Sequence, residues 1–392
     1  MWTDNTIAHR GHLFVESGVN KRSVTFLLSG LSKYVTLAAL TKKMRLRLRN
    51  LFIPTLLVFA SVHARAGEVA LLMEEPFGGF GAMNPTGHAA IYLSDVCAET
   101  YTQLRRCEPG EPGVVLSRYH RIDGYDWLAI PLIPYLYAVD DPSQIPQIAD
   151  PALESKLRDR YRREHLLALA PDDPRREIPK GEWVQLIGAS YDRKIYGFEI
   201  ETQPEQDDEL IAEFNGRVNR SHFNLFFHNC ANFAEGVLNF YYPHAIHRNF
   251  IADVGLMTPK QAARSLNKYG KHHPDLETRV FVIPQVPGTV HRSTSINGVL
   301  ESLVKSKKYV VPLAFLHPVI TGSLIAAYLG DGRFHPDPNA TVFDPAHDLR
   351  PGVEISSIAA THASPAETRV LSIDASTVDN HQSTVRGLRA VQ

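Results

Sequence analysis

Cysteine and histidine are the side chains here best suited to nucleophilic and acid–base work, and the chain holds 3 and 18 of them. Cys230 stands where an apolar run, Phe223 to Phe227, gives way to a helical pattern. Phe233, Val237 and Phe240 recur at helical spacing, with Ala234, Leu238 and Tyr241 beside them. Cys230 therefore falls at or near a helix N-terminus, where unsatisfied N–H groups and the helix dipole favour a thiolate. A thiol nucleophile also needs a base, and a histidine from elsewhere in the chain can serve. His88 opens the apolar run His88–Leu93 directly after a loop dense in turn formers, Pro76–Gly87. A histidine at the start of a strand, beside a flexible loop, can face a cleft.

Zinc is the other chemistry these residue types allow. His222, His228, Cys230, His244 and His247 lie close together in sequence. Their spacing matches no compact ligand motif, and His244 and His247 stand beyond the helix beside Pro243, where loop histidines are ordinary. The sequence therefore calls for no metal and no cofactor.

The elements that must hold these residues follow from periodicity and breakers. Val69–Met73 and Val114–Leu116 read as strands, and Trp127–Ile133 as a strand running into an extended, proline-punctuated edge path. Asp150-Pro151 opens a helix with Leu153, Leu157 and Tyr161 on one face. Ile195–Glu201 alternates as a half-buried strand, and a capping box at Thr202–Glu205 starts a helix running to about Phe214. A second capping box at Thr258 starts a helix expected to end at Gly270. Phe281–Val286 is the last strand of a domain expected to close near residue 290.

Composition excludes one class of partner. A formal net charge of −1 offers no electrostatic reason to bind nucleic acid. Met44–Ala66 carries arginines, then an apolar run from Leu51 to Val62, then Ala64-Arg65-Ala66, the layout of a secretory signal peptide. The expectation is that translation starts at Met44, with residues 1–43 a non-native or unstructured lead-in. N-terminal sequencing of the mature protein checks this, and an uncleaved membrane anchor is the competing reading. Export would put Cys97 and Cys107 in an oxidising compartment, where they can pair and leave Cys230 as the odd thiol. The alternative is that all three are reduced and buried.

Tyr309–Leu329 has no Asp, Glu, Lys or Arg, and its length matches a membrane span of ~20 residues. Pro312, Pro318 and His317 interrupt it, and Lys305, Lys307 and Lys308 would lie on the exported side, against the positive-inside tendency. A membrane span and a buried or membrane-surface hairpin both remain open. Residues 331–392 lack periodicity and read as a disordered tail.

The order of the motifs carries a resemblance. Gly87-His88-Ala89-Ala90-Ile91-Tyr92-Leu93, then Gly188-Ala189-Ser190-Tyr191-Asp192, then Asn229-Cys230-Ala231-Asn232-Phe233-Ala234 resemble the circularly permuted papain-like group. That group includes the lecithin–retinol acyltransferase family and relatives of NlpC-type cell-wall peptidases. The resemblance is tight over two short motifs and loose over about residues 69–245. It implies Cys230 as nucleophile, His88 as base, the Cys230 N–H as an oxyanion donor, and Asn229 and Tyr92 beside the site. It also implies a polar residue on the strand after the histidine strand to orient His88, for which His120, and after it Asp126, are the candidates.

The fold expected is α+β: an antiparallel sheet flanked by helices, permuted papain-like, over 67–290. A C-terminal helix and hydrophobic segment (291–330) and the tail (331–392) follow. The function expected is that of an exported thiol-dependent hydrolase or acyl-transfer enzyme, periplasmic or extracellular. Its substrate would be a cell-envelope peptide, peptidoglycan or lipid, with membrane association through 309–329. The alternative is a non-catalytic, membrane-associated envelope protein that keeps the fold as a scaffold.

Overall fold

A computed structural model describes residues 67–78, 85–120, 122–338 and 340–345. The expected lead-in, the signal peptide and the tail beyond 345 lie outside the described residues.

The central strand is β1 (Gly67–Glu74). Its sequence, GEVALLME, is apolar at nearly every inner position, as a strand covered on both faces requires, and Val69 to Leu72 have no exposed surface. Beside it, antiparallel, runs β2 (His88–Leu93), with Val69 opposite Leu93 and Glu74 opposite His88. On its other side lies β7 (Ile195–Thr202), also antiparallel. Beyond β2 come β5 (Val114–Ser117) and β6 (Leu128–Pro131). Beyond β7 come β8 (Thr278–Ile283) and β9 (Thr341–Val342). Every pairing is antiparallel except β8 with β9. A separate hairpin of β3 (Val96–Thr100) and β4 (Gln103–Arg106) carries a Cys97–Cys107 disulfide, which leaves Cys230 as the free thiol.

Strand alternation divides the core in two. Ala70, Leu72, Ala90, Tyr92 and Val115 face α1 (Leu132–Tyr137), α2 (Pro151–His165) and α3 (Ala189–Asp192). Val69, Leu71, Met73, Ile91 and Leu93 face α5 (Cys230–Tyr241) and α6 (Pro259–His272), and α4 (Pro204–Gly216) adds Leu210. The architecture is α+β, a largely antiparallel sheet flanked by helices.

Four local expectations need correction. The path after β6 is helical, because Pro134 stands in the first turn of α1, where its missing N–H is not needed. Helix α6 runs past Gly270 to His272. Gly270 instead makes room for β8, since a Cβ there would lie 2.5 Å from Thr278 Cγ2. The domain does not close near 290, for Ile296 joins the core and Ser293 Oγ donates to Glu75 at 2.6 Å. Nor does structure stop at 331: Phe343 packs on Phe281, and β9 extends the sheet.

Residues 299–327 form three short helices: α7 (Val299–Lys305), α8 (Lys307–Leu316) and α9 (Pro318–Ala327). Among the described residues, no helix is long and apolar enough to cross a membrane. The base of this segment is held by Glu301, whose side chain is 1% exposed. Its carboxylate accepts from Lys260 Nζ at 2.5 Å, Tyr328 Oη at 3.1 Å and Gly298 N at 3.1 Å, and pairs with Lys305 at 2.7 Å. Burial works to raise the Glu301 carboxyl, but Lys260 and Lys305 hold it below the ordinary 4.5. Its contribution to stability is therefore complete above pH 4.5 and is lost as pH falls through the lowered folded value. We expect Glu301→Gln to lower unfolding free energy by about 3 kcal/mol at neutral pH, because it leaves Lys260 buried without its counter-charge. Chemical denaturation at neutral pH and at pH 3 would read this, with the difference shrinking at the lower pH.

Candidate functional site

Helix α5 begins at Cys230 because Asn229 caps it. Asn229 Oδ1 accepts from Asn232 N at 2.9 Å, and Asn232 Oδ1 accepts from Asn229 N at 3.4 Å, closing a reciprocal cap. Phe233, Ala234, Val237, Leu238 and Tyr241 then bury the helix face against the sheet. Each large side chain among them contributes about 1.5–3 kcal/mol. The cap uses the Asn232 N–H, and Phe233 N bonds Asn229 O at 3.1 Å. The N–H groups of Cys230 and Ala231, with the N–H of Ala89 from the start of β2, lie near enough to Sγ to favour its thiolate. The sulfur thus lies against the residue next to His88.

His88 is placed by two features before it. Gly87 has φ +74°, and a Cβ there would lie 2.1 Å from Glu74 O, so glycine alone lets β2 start beside the end of β1. Pairing then sets Glu74 opposite His88. The His88 ring stacks on Tyr119 with centroids 4.6 Å apart, and Nε2 lies 2.6 Å from Ser117 Oγ. That contact leaves Nδ1 as the ring nitrogen not engaged by Ser117. Beneath lies a buried polar chain: Tyr119 Oη donates to Tyr135 Oη at 3.3 Å, Tyr135 donates to Glu74, and Arg193 Nη1 donates to Glu74 at 2.8 Å.

Electrostatics hold both reactive groups neutral. Burial pushes the Cys230 thiol up to about 11, against the opposing pull of the Ala89 N–H. Burial also holds the His88 imidazole well below 6.5, and the Arg193 charge adds to the effect. No hydrogen bond joins the His88 ring to the thiol among the described contacts, so the resting site is a thiol and a neutral imidazole, not an ion pair. Strand alternation agrees, since Ala89 turns toward α5 while His88 joins the side of Ala90 and Ser117.

The other expected site residues are placed as follows. The partner of His88 is Ser117, not His120 or Asp126. His120 is exposed, its ring 5.4 Å from that of Phe223. Asp126 pairs with Arg118 at 2.8 Å and His228 at 3.1 Å and accepts from Ser221 Oγ at 2.5 Å. Burial works to raise the Asp126 carboxyl, but the bonds from Arg118 and Ser221 hold it below the usual carboxylate range. Ser221 and Asp126 both meet His228 at Nε2, so this trio lacks the two-nitrogen relay of a serine nucleophile. Instead it braces Arg118, whose Nη1 reaches Asn229 O at 3.4 Å and whose guanidinium lies 5.1 Å from the Phe233 ring centre. Asn229 Nδ2 is committed to Leu225 O at 2.8 Å and Met257 O at 3.1 Å, which removes it as an oxyanion donor. Tyr92 lies about 13 Å along β2 from His88 and donates to Pro112 O. Among the described residues, no three of His222, His228, Cys230, His244 and His247 bring ligand atoms together.

Ser117 is the residue that sequence reasoning missed. Reading the strand as Val114–Leu116 stopped it one residue short. Extending the alternation by one position puts Ser117 on the face of Val115, opposite Ala90, and diagonal to His88.

A comparison of the chain with protein-family models, curated proteins and solved structures finds no match. The site must be judged on its own chemistry.

Two outcomes test this geometry. The rate of Cys230 modification by iodoacetamide should climb with pH toward about 11, and a plateau at the ordinary thiol value of ~8.5 would contradict the buried, neutral thiol. Gly87→Ala should cost about 2 kcal/mol or more in stability, read by urea unfolding, because the new methyl meets the Glu74 carbonyl.

Proposed function

We propose that the chain is an exported, thiol-dependent hydrolase or acyl-transfer enzyme of the permuted papain-like kind, acting on amide or ester bonds. One observation supports the reading: the backbone N–H of Ala89, next in the chain to a histidine whose Nε2 is held by Ser117, lies near the Cys230 sulfur. Cys230 is the nucleophile. His88 is its base: the ring rests on the Ser117 and Tyr119 side of β2 and must swing toward α5 before Nδ1 takes the proton as sulfur attacks the carbonyl carbon. The Cys230 and Ala231 N–H groups, fixed at the helix start, then donate to the developing oxyanion as sulfur moves off them onto carbon. Collapse expels an alcohol or amine, which takes the proton from His88. Water, or an acceptor amine or alcohol, then cleaves the thioester and regenerates the thiol. Ser117 is a positioning residue. Because the resting pair is neutral, the thiolate forms only as substrate arrives and supplies the carbonyl it attacks.

Cell-envelope substrates follow from the expected export: peptide or peptidoglycan amides first, lipid esters second. The depth of the thiol and its lack of a bond to His88 favour a second reading, a non-catalytic envelope protein that keeps the arrangement as scaffold.

Activated esters and aminoacyl anilides separate the two. On the enzyme reading, mass spectrometry finds an acyl adduct on Cys230, and His88→Ala slows its formation by about 100-fold or more. Ser117→Ala slows it less and shifts its pH profile. Equal adduct formation in wild type and His88→Ala, or none in either, would leave the scaffold reading standing.

A further inference from the structure

The hairpin of α8 and α9 has little counterpart in the rest of the protein. Among its described side chains only Thr321 is buried. Phe315 is 85% exposed, Val319 80% and Leu316 73%, all at the tip where the two helices meet. No Asp, Glu, Lys or Arg occurs from Tyr309 to Gly330, and His317 is the one ionisable imidazole there. Two of its hydroxyls are satisfied from within: Thr321 Oγ1 donates to His317 O at 3.1 Å and Ser323 Oγ to Val319 O at 3.0 Å. Helix α9 takes up at Pro318, which has no N–H to leave unpaired. Exposed Lys307 and Lys308 sit at the opposite end, where α8 begins, next to the Glu301 cluster that ties the base to α6.

Dimensions and charge select the occupant. Helices of 10 residues are ~15 Å long, half of the ~30 Å hydrocarbon core of a bilayer. A tip of large apolar side chains interrupted only by His317, two internally bonded hydroxyls and a cationic base match one leaflet, with lysines at the depth of anionic headgroups. We propose that α8 and α9 insert as a hairpin into one leaflet of an anionic membrane and hold the domain at its surface. The inference is independent of the chemistry assigned to Cys230.

Vesicle flotation of the full chain tests it, with vesicles of phosphatidylcholine alone and of phosphatidylcholine mixed with phosphatidylglycerol. Wild type should float with both, more with the mixture. The double variant Phe315→Glu/Val319→Glu should lose about tenfold or more in partitioning, since it drives charge into the leaflet. Comparison with wild type cancels any contribution from other apolar segments. The pair Lys307→Gln/Lys308→Gln should lose about tenfold on the anionic mixture and little on phosphatidylcholine. Both pairs lie at exposed positions, and thermal unfolding verifies that they fold. Phe315→Trp should show blue-shifted emission on adding vesicles. Equal flotation of wild type and the glutamate pair would overturn the proposal. So would a wild type that ignores vesicles and self-associates through the tip in sedimentation velocity.

Discussion

The structure turns on a carboxylate that has almost no access to water. Glu74 ends the central strand, is 1% exposed, and binds Arg193 and Tyr135. A buried pair of this kind adds little net stability over apolar packing, yet breaking it is costly, so it acts chiefly as a constraint on what may sit where. Arg193 comes from the short loop that feeds β7, and Tyr135 from α1, so one side chain ties two other parts of the chain to the end of β1. The register that sets Glu74 opposite His88 also sets the ring over Tyr119, whose hydroxyl belongs to the same chain of bonds. The same arrangement buries the imidazole, which keeps it neutral, and brings a permanent cation near it that adds to the effect. Fold and site chemistry therefore share one cause.

Much of this was legible in local pattern. The apolar run of β2, the alternation in β7, the cap before α6 and the apolar face of α5 are short-range signals, and the structure follows them, while the cap before α4 falls at Gln203, one residue later than the pattern at Thr202 suggested. What was not legible depends on partners far apart in sequence. Nothing local to Glu74 announces Arg193. Ser117 was missed because a strand ending in a polar residue looks finished one position early, and its meaning comes only from the register with β2. The helix α1 was missed because Pro131 and Pro134 read as breakers, although a proline in a first turn breaks nothing. Asn229 looked like part of the chemistry. It proved to be a clamp whose two donors hold the loops that end at Leu225 and Met257.

The acidic residue expected near the histidine also found different work. Asp126 joins Arg118, Ser221 and His228 in a brace against the carbonyl that precedes Cys230. Helix α5 is therefore fixed from outside by a charged cluster and from inside by apolar packing. Such support costs side-chain freedom, and it is what a site with unmoving donors requires.

The short return of the chain at β9 has a consequence for how copies of this protein meet. An open sheet offers unpaired N–H and C=O groups along both rims, and these can recruit strands from other chains. At one rim β6 is only 4 residues long and ends in Pro131, which cannot donate. At the other, Thr341 and Val342 lie along Phe281 and Val282 and occupy the rim of β8. Both borders are blunted by the chain's own residues, so the sheet has little room to grow by taking up a neighbour.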